Sequence, residues 1–160
     1  MDYFFIKGNI KINHKYFISK IEKDILENNN KSFVTNVIGE MTDWKSFNSD
    51  IEFAKILFKF FDFIDQKKLI NKSYYLSDSW GIKESFSHYT AEHSHQPSII
   101  SAVLYLSTVN QKLLFPEINE EINAEIGNFA LFSGVLKHKT NQRINFGETK
   151  YAISFNCSVK

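Results

Sequence analysis

A single cysteine, Cys157, serves the whole chain of 160 residues, so neither an intramolecular disulfide framework nor a cysteine-built zinc site is available to it. Taken alone this points weakly to a reducing compartment. There are only two prolines, no internal repeat and no low-complexity linker, so one domain spanning 1–160 is expected. Net charge is nearly absent as well: 19 basic residues face 18 acidic ones, for a formal charge of +1. That balance excludes a broad electrostatic footprint for duplex nucleic acid or an anionic membrane surface, while leaving a small nucleic-acid-derived substrate open. Long apolar runs are missing too. The best, ILFKFFDFI, is interrupted by Lys59 and Asp62 and falls well short of the roughly 20 residues a membrane span needs. The opening MDYFFIKGNI has no basic stretch and too short an apolar run for a signal peptide, so a cytoplasmic chain is the expectation.

What the chain does have is aromatic bulk, with 16 Phe and seven Tyr, and a change of period near its middle. The first part, about residues 1–70, has helical patterning. YFISKIEKDILENNN sets Phe17, Ile18, Ile21, Ile25 and Leu26 on one face and stops at an Asn run. Ser49 and Glu52 form a capping-box pattern ahead of IEFAKILFKFFDFIDQKK, whose apolar residues run around most of the circumference and predict a helix packed on more than one side. From about Lys72 the runs shorten and fill with β-branched and aromatic residues: KSYYLSDSWGIKE, SIISAVLYLS, KLLFPEIN, GNFALFS and TKYAISFNCSV. Gly81, Pro116, Gly127, Gly134 and Gly147 punctuate them. Helices first and short strands afterwards predict a mainly β chain, a jelly-roll barrel over about 71–160 carried on a helical layer.

Two of the five histidines, His93 and His95, stand one residue apart in AEHSHQPSIISAVLYL. Residues i and i+2 of a strand project from one face, so at the entry of SIISAVLYL both side chains would point into the barrel. His138, after GNFALFSGVLKH, is the natural third partner from a facing strand, and the three would make a metal site open on one side. An H-x-H pair is also compatible with two structural histidines. His14 and His88 are read as surface or hydrogen-bonded residues.

The segments TNVIGEMTDW, SDSWGI, EHSHQPSIISAVLYL, EIGNFALFSGVLKH and KYAISFN, in this order, resemble the non-haem Fe(II)- and 2-oxoglutarate-dependent oxygenases. The likeness is closest to small oxygenases encoded by tailed bacteriophages and marine bacteria; if phage-encoded, the protein would act in a host cytoplasm. It implies a double-stranded β-helix and a hydroxylase that uses Fe(II), 2-oxoglutarate and O2 and releases succinate and CO2. His93 and His138 match the family's iron-binding histidines. Lys150 stands where the family keeps the basic residue that pairs with the distal carboxylate of 2-oxoglutarate, usually Arg and in prolyl-4-hydroxylases Lys. A Lys there offers a point charge in place of the bidentate fork of Arg. Tyr105 resembles the tyrosine that donates to the same carboxylate. Asn156 matches the Asn that closes the family's SFN ending, in a structural or a cosubstrate-binding role. Trp80 is a candidate for the mouth of the site or for packing, and Arg143 for an anionic substrate or a solvated loop.

Two departures from that pattern stand out. The common ligand set is His-x-Asp…His, and here His95 replaces the Asp; either His95 is the third ligand, or Glu92, water or substrate fills its place. Ala152 stands where many members have a Ser that also binds the cosubstrate. A cupin-type dioxygenase or isomerase without 2-oxoglutarate also uses H-x-H, but Gln96 to Ile100 lack the acid that cupins place there. A non-catalytic jelly-roll binding or assembly protein is the third reading. The expected partner is a small-molecule or protein side-chain substrate, with the aromatic helical layer available for a homodimer.

Overall fold

A strand buried on both faces reads as a nearly continuous apolar run, and residues Ile100–Tyr105, buried at every position, are such a run. The computed structural model describes residues 3–27 and 35–160. In order, the elements are β1 (Phe5–Asn9), α1 (His14–Glu27), β2 (Val37–Ile38), β3 (Glu40–Met41), α2 (Ile51–Gln66), β4 (Tyr74–Glu84), β5 (Tyr89–Thr90) and β6 (Ile100–Tyr105). They continue as β7 (Lys112–Phe115), a 3-10 turn at Pro116–Ile118, β8 (Glu120–Asn123), β9 (Asn128–Phe132), β10 (Lys139–Thr140) and β11 (Lys150–Val159). A six-stranded sheet runs β1-β9-β6-β11-β4-β3; a three-stranded sheet β10-β7-β8 and the pair β2-β5 complete the jelly roll.

The central strands divide their side chains by the period of two. Ile100 and Leu104 of β6, Phe129 and Leu131 of β9, and Ile153, Phe155 and Cys157 of β11 meet Phe17, Ile21, Phe53, Ile56, Phe60 and Ile64 of the two helices. The alternate residues Val103 and Tyr105, Ala130 and Phe132, and Ala152 turn into the barrel and meet Leu113, Phe115 and Ile122 of the smaller sheet. The helical layer and the barrel interior are thus two cores on opposite faces of one sheet. Where α1 crosses β4, the residue is Gly81; a Cβ there would lie 2.3 Å from Ile21 Cγ1, so only glycine admits the helix this close.

Several expectations are corrected. The first seventy residues are not a purely helical support, because β1 pairs with β9 and β3 with β4. Leu26 is 70% exposed: one residue past Ile25, it turns about 100° off the buried stripe. The Asn run that was to end α1 lies outside the described residues. The cap of α2 is Asp50, whose carboxylate accepts from the Phe53 N–H at 2.8 Å, and not Ser49; Glu52 instead pairs with Lys55 at 2.9 Å. Nor is α2 covered all round. Phe53, Ile56, Phe60 and Ile64 form its buried stripe, whereas Ile51 and Phe58 face out at 75% and 69% exposure. Among the described residues no helix is long and apolar enough to cross a membrane.

Candidate metal centre

His93 and His95 precede β6 instead of entering it, on the connection from β5, and a different set of bonds fixes them. His93 and His138 form an isolated antiparallel bridge, each N–H donating to the other's carbonyl at 3.1 and 3.0 Å. The His95 N–H donates to the Gly134 carbonyl at 2.8 Å, and the Ser98 N–H turns back to the His95 carbonyl at 2.8 Å. The i, i+2 relation therefore holds locally, imposed by the bridge to the 133–138 turn. Gly134 is required here, since a Cβ would fall 2.1 Å from the Ser98 carbonyl oxygen.

The three rings converge. Their centroids lie 4.9 Å (His93–His95), 4.4 Å (His93–His138) and 5.0 Å (His95–His138) apart, and one ligand nitrogen from each falls within 4.8 Å of the others. His93 Nδ1 donates to the Ala91 carbonyl at 2.8 Å and His138 Nδ1 to the Leu136 carbonyl at 3.1 Å. With Nδ1 protonated, each ring turns an unprotonated Nε2 to the centre, the tautomer that metal-binding imidazoles need. His95 Nε2 sits 3.2 Å from the unprotonated His138 Nε2 and donates to it. Burial lowers all three pKa values: His95 falls to about 4, helped by the neighbouring His93; His138 falls well below its usual value; and His93 is lowered against the pull of the Ala91 carbonyl. Neutral, converging imidazoles fit a divalent cation such as Fe(II), with one side left open. Glu92, the alternative ligand, points elsewhere and lies 3.8 Å from Lys139.

The triad opens on a cavity lined also by Trp80, Ile82, Thr90, Val103, Tyr105, Leu113, Phe132, Lys150, Ala152 and Ser154. Lys150, Ala152 and Ser154 share one face of β11, and Lys150 is 4% exposed. Its ammonium is not waiting alone: it pairs with Glu84, directly opposite it on β4 and 0% exposed, and donates to Gln111 Oε1 at 2.7 Å. Glu84 Oε1 accepts from Thr90 Oγ1 at 3.1 Å, and Gln111 Nε2 donates to the Gln142 carbonyl at 2.7 Å. Tyr105 is fully buried beside Lys150, and burial with the Glu84 charge raises its phenol pKa.

The remaining residues separate. Asn156 is not in this cavity; it accepts from Ser101 Oγ at 2.7 Å and lines a second, outer cleft with Trp44, Asp78 and Gln96. Trp80 belongs to both spaces, stacked 6.1 Å from His95, and its buried Nε1 has no hydrogen-bond partner among the described residues. Arg143 is outside both, donating to the Ser87 carbonyl at 3.0 Å and lying over the Tyr89 ring at 4.4 Å. His88 accepts from the Ser85 N–H at 2.9 Å, a structural histidine. Sequence reasoning missed Glu84, Thr90, Gln111 and Ser154. One signal existed: Glu84 has the strand parity of Trp80 and Ile82, and a carboxylate facing a core requires a partner.

No family model matches the chain, and no curated protein does. Solved structures match it over nearly its whole length. The viral collagen prolyl hydroxylase of Paramecium Bursaria Chlorella virus-1, in complex with 2OG, superposes with a TM-score of 0.76 at 16% identity, covering 100% of this chain and 97% of that one. A prolyl-4-hydroxylase from Pseudomonas putida gives 0.70 at 11% identity over 98% and 92% of the two chains. HygX from Streptomyces hygroscopicus, with nickel, 2-oxoglutarate and hygromycin B bound, gives 0.69 at 11% identity over 99% and 83%. The chain therefore has the jelly-roll fold of the 2-oxoglutarate oxygenases, the architecture its sequence resembled.

Proposed function

We propose that the protein is an Fe(II)- and 2-oxoglutarate-dependent dioxygenase that hydroxylates a C–H bond of its substrate with release of succinate and CO2. The observation that carries this reading is the sharing of one buried cavity by three metal-competent histidines and a buried lysine. His93, His95 and His138 would hold the iron through Nε2. Lys150, with Tyr105 beside it, would receive the distal carboxylate of 2-oxoglutarate across the cavity. When bound, iron and the cosubstrate supply O2 activation and oxidative decarboxylation. The chain's own part is placement and dryness. Val103, Leu113, Phe132 and Ile82 wall the cavity and keep water from the reacting centre, and the backbone bonds of His93 and His138 fix the ring planes. The substrate would approach from the outer cleft past Trp80.

The test is an anaerobic absorbance titration with Fe(II) and then 2-oxoglutarate. A metal-to-ligand charge-transfer band that needs both additions, and that is lost in His138→Ala, is the expected result. Iron binding without the band would favour a cupin-like metalloenzyme, and no iron binding would leave a non-catalytic jelly roll.

A further inference from the structure

We infer that Glu84 sets how tightly the cavity holds a dicarboxylate cosubstrate, by opposing the distal carboxylate at the Lys150 ammonium. The inference rests on the functional reading above and concerns a residue outside the metal site. An ammonium has three N–H donors. Glu84 pairs with the Lys150 ammonium and Gln111 accepts from it, and neither lines the cavity, whereas Lys150 and Thr90 do. With Gln111 taking one N–H and Glu84 paired alongside, the ammonium has donor capacity for a ligand on its cavity side. A carboxylate arriving there shares the ammonium with one that is already buried, 0% exposed, and held on its other oxygen by Thr90. Two like charges around one cation in a dry site repel at short range, where screening is weakest. Glu84 thus orients Lys150 in the free protein and limits the charge that Lys150 can offer an anion. It is a positioning residue, since it reaches the cosubstrate only through Lys150.

The test is calorimetric titration of the full chain loaded with Mn(II), comparing the native protein with Glu84→Gln. Two ligands are used: 2-oxoglutarate, and 2-oxobutyrate, which keeps the metal-chelating end but has no distal carboxylate. Removing one full charge at this distance is expected to tighten 2-oxoglutarate by about tenfold or more and to leave 2-oxobutyrate within about twofold. General damage to the fold would weaken both ligands. Unchanged or weaker 2-oxoglutarate binding in Glu84→Gln, or equal tightening of the two acids, overturns the inference while the oxygenase reading stands. If neither protein binds 2-oxoglutarate, the oxygenase reading fails and the inference falls with it. Should Glu84→Gln not fold, Glu84→Asp keeps the counter-charge and draws it back by one methylene. Threefold or more tightening, as an order-of-magnitude expectation, then supports the inference, and anything less refutes it.

Discussion

Lys150→Met is the substitution whose outcome the structure determines most sharply. The side chain is of similar length and the site is apolar on its cavity side, so the change is not steric. It strips the cation from a carboxylate that is 0% exposed and whose other partner is a single hydroxyl at 3.1 Å. Breaking a buried pair from one side typically costs about 3–5 kcal/mol. For a chain of this length that corresponds to a fall in Tm of roughly 6–20 °C. Converting both partners, in Lys150→Met with Glu84→Gln, leaves a neutral amide that still accepts from Thr90, and stability should return to within about 1 kcal/mol of the native protein. Urea unfolding of the native protein, both single variants and the double variant gives the coupling energy directly. A coupling below about 1 kcal/mol, or a double variant as unstable as the sum of the singles, would refute the buried-pair account. The experiment also decides how the cosubstrate is tested: the neutral pair, and not Lys150→Ala alone, separates loss of binding from loss of fold.

Three other expectations are open to measurement. The His95 pKa is about 4 in the folded metal-free protein, against roughly 6.5 unfolded, so below 6.5 the unfolded chain binds a proton that the folded one refuses. Stability present above pH 6.5 is then lost as pH falls towards 4, by about 2 kcal/mol between pH 7 and 5 from this group; a urea midpoint whose pH dependence does not flatten in His95→Gln would contradict it. Gly134→Ala would drive a Cβ to 2.1 Å from the Ser98 carbonyl and push the His95 turn aside, so Co(II) affinity followed by absorbance should fall about tenfold or more, with unchanged affinity the refuting result. Phe60→Ala, at 0% exposure under the sheet, should cost about 3–5 kcal/mol in urea unfolding. Phe58→Ala, at 69% exposure, should cost under about 0.5 kcal/mol, and equal losses would restore the expectation of a helix packed on more than one side.

The longer strands from Tyr74 onward, β4, β6, β7, β9 and β11, were legible from their β-branched and aromatic runs, and in β6 burial on both faces makes that run almost wholly apolar, as in Ile100–Tyr105. The small strands were not. Val37–Ile38, Tyr89–Thr90 and Lys139–Thr140 span two residues each, too short for any period to show. β1, FIKGN, exists because β9 offers it a partner 119 positions or more away, a tertiary cause without a local signature. The histidines were legible by spacing, yet the reason given for the spacing was incomplete. They do not ride on β6 itself; the bridge between His93 and His138 imposes the strand-like alternation. Arg143 and Asn156 show the limit of position alone. Each stands in a segment that borders the site; a hydrogen bond to Ser87 holds Arg143 away from it, and one from Ser101 holds Asn156 in the outer cleft and not in the lysine cavity.

Lys150 and Glu84 bring one positive and one negative charge into the interior beside three histidines. In the pattern the sequence resembles, the metal-binding Asp contributes one negative charge to the cavity and the basic residue one positive charge. The three histidines, their pKa values lowered, are neutral, so without a partner the Lys150 ammonium would be an uncompensated charge in a low-dielectric interior. Glu84 restores the balance from the opposite strand, in register with Lys150. In this chain the buried negative charge stands at the lysine end of the cavity and not among the histidines. Under the proposed function a divalent cation would meet three neutral imidazoles, and an incoming distal carboxylate would meet an ammonium already paired with Glu84. Metal grip and cosubstrate grip should both be looser than a carboxylate-bearing triad with an unpaired basic residue would give, and for separate physical reasons.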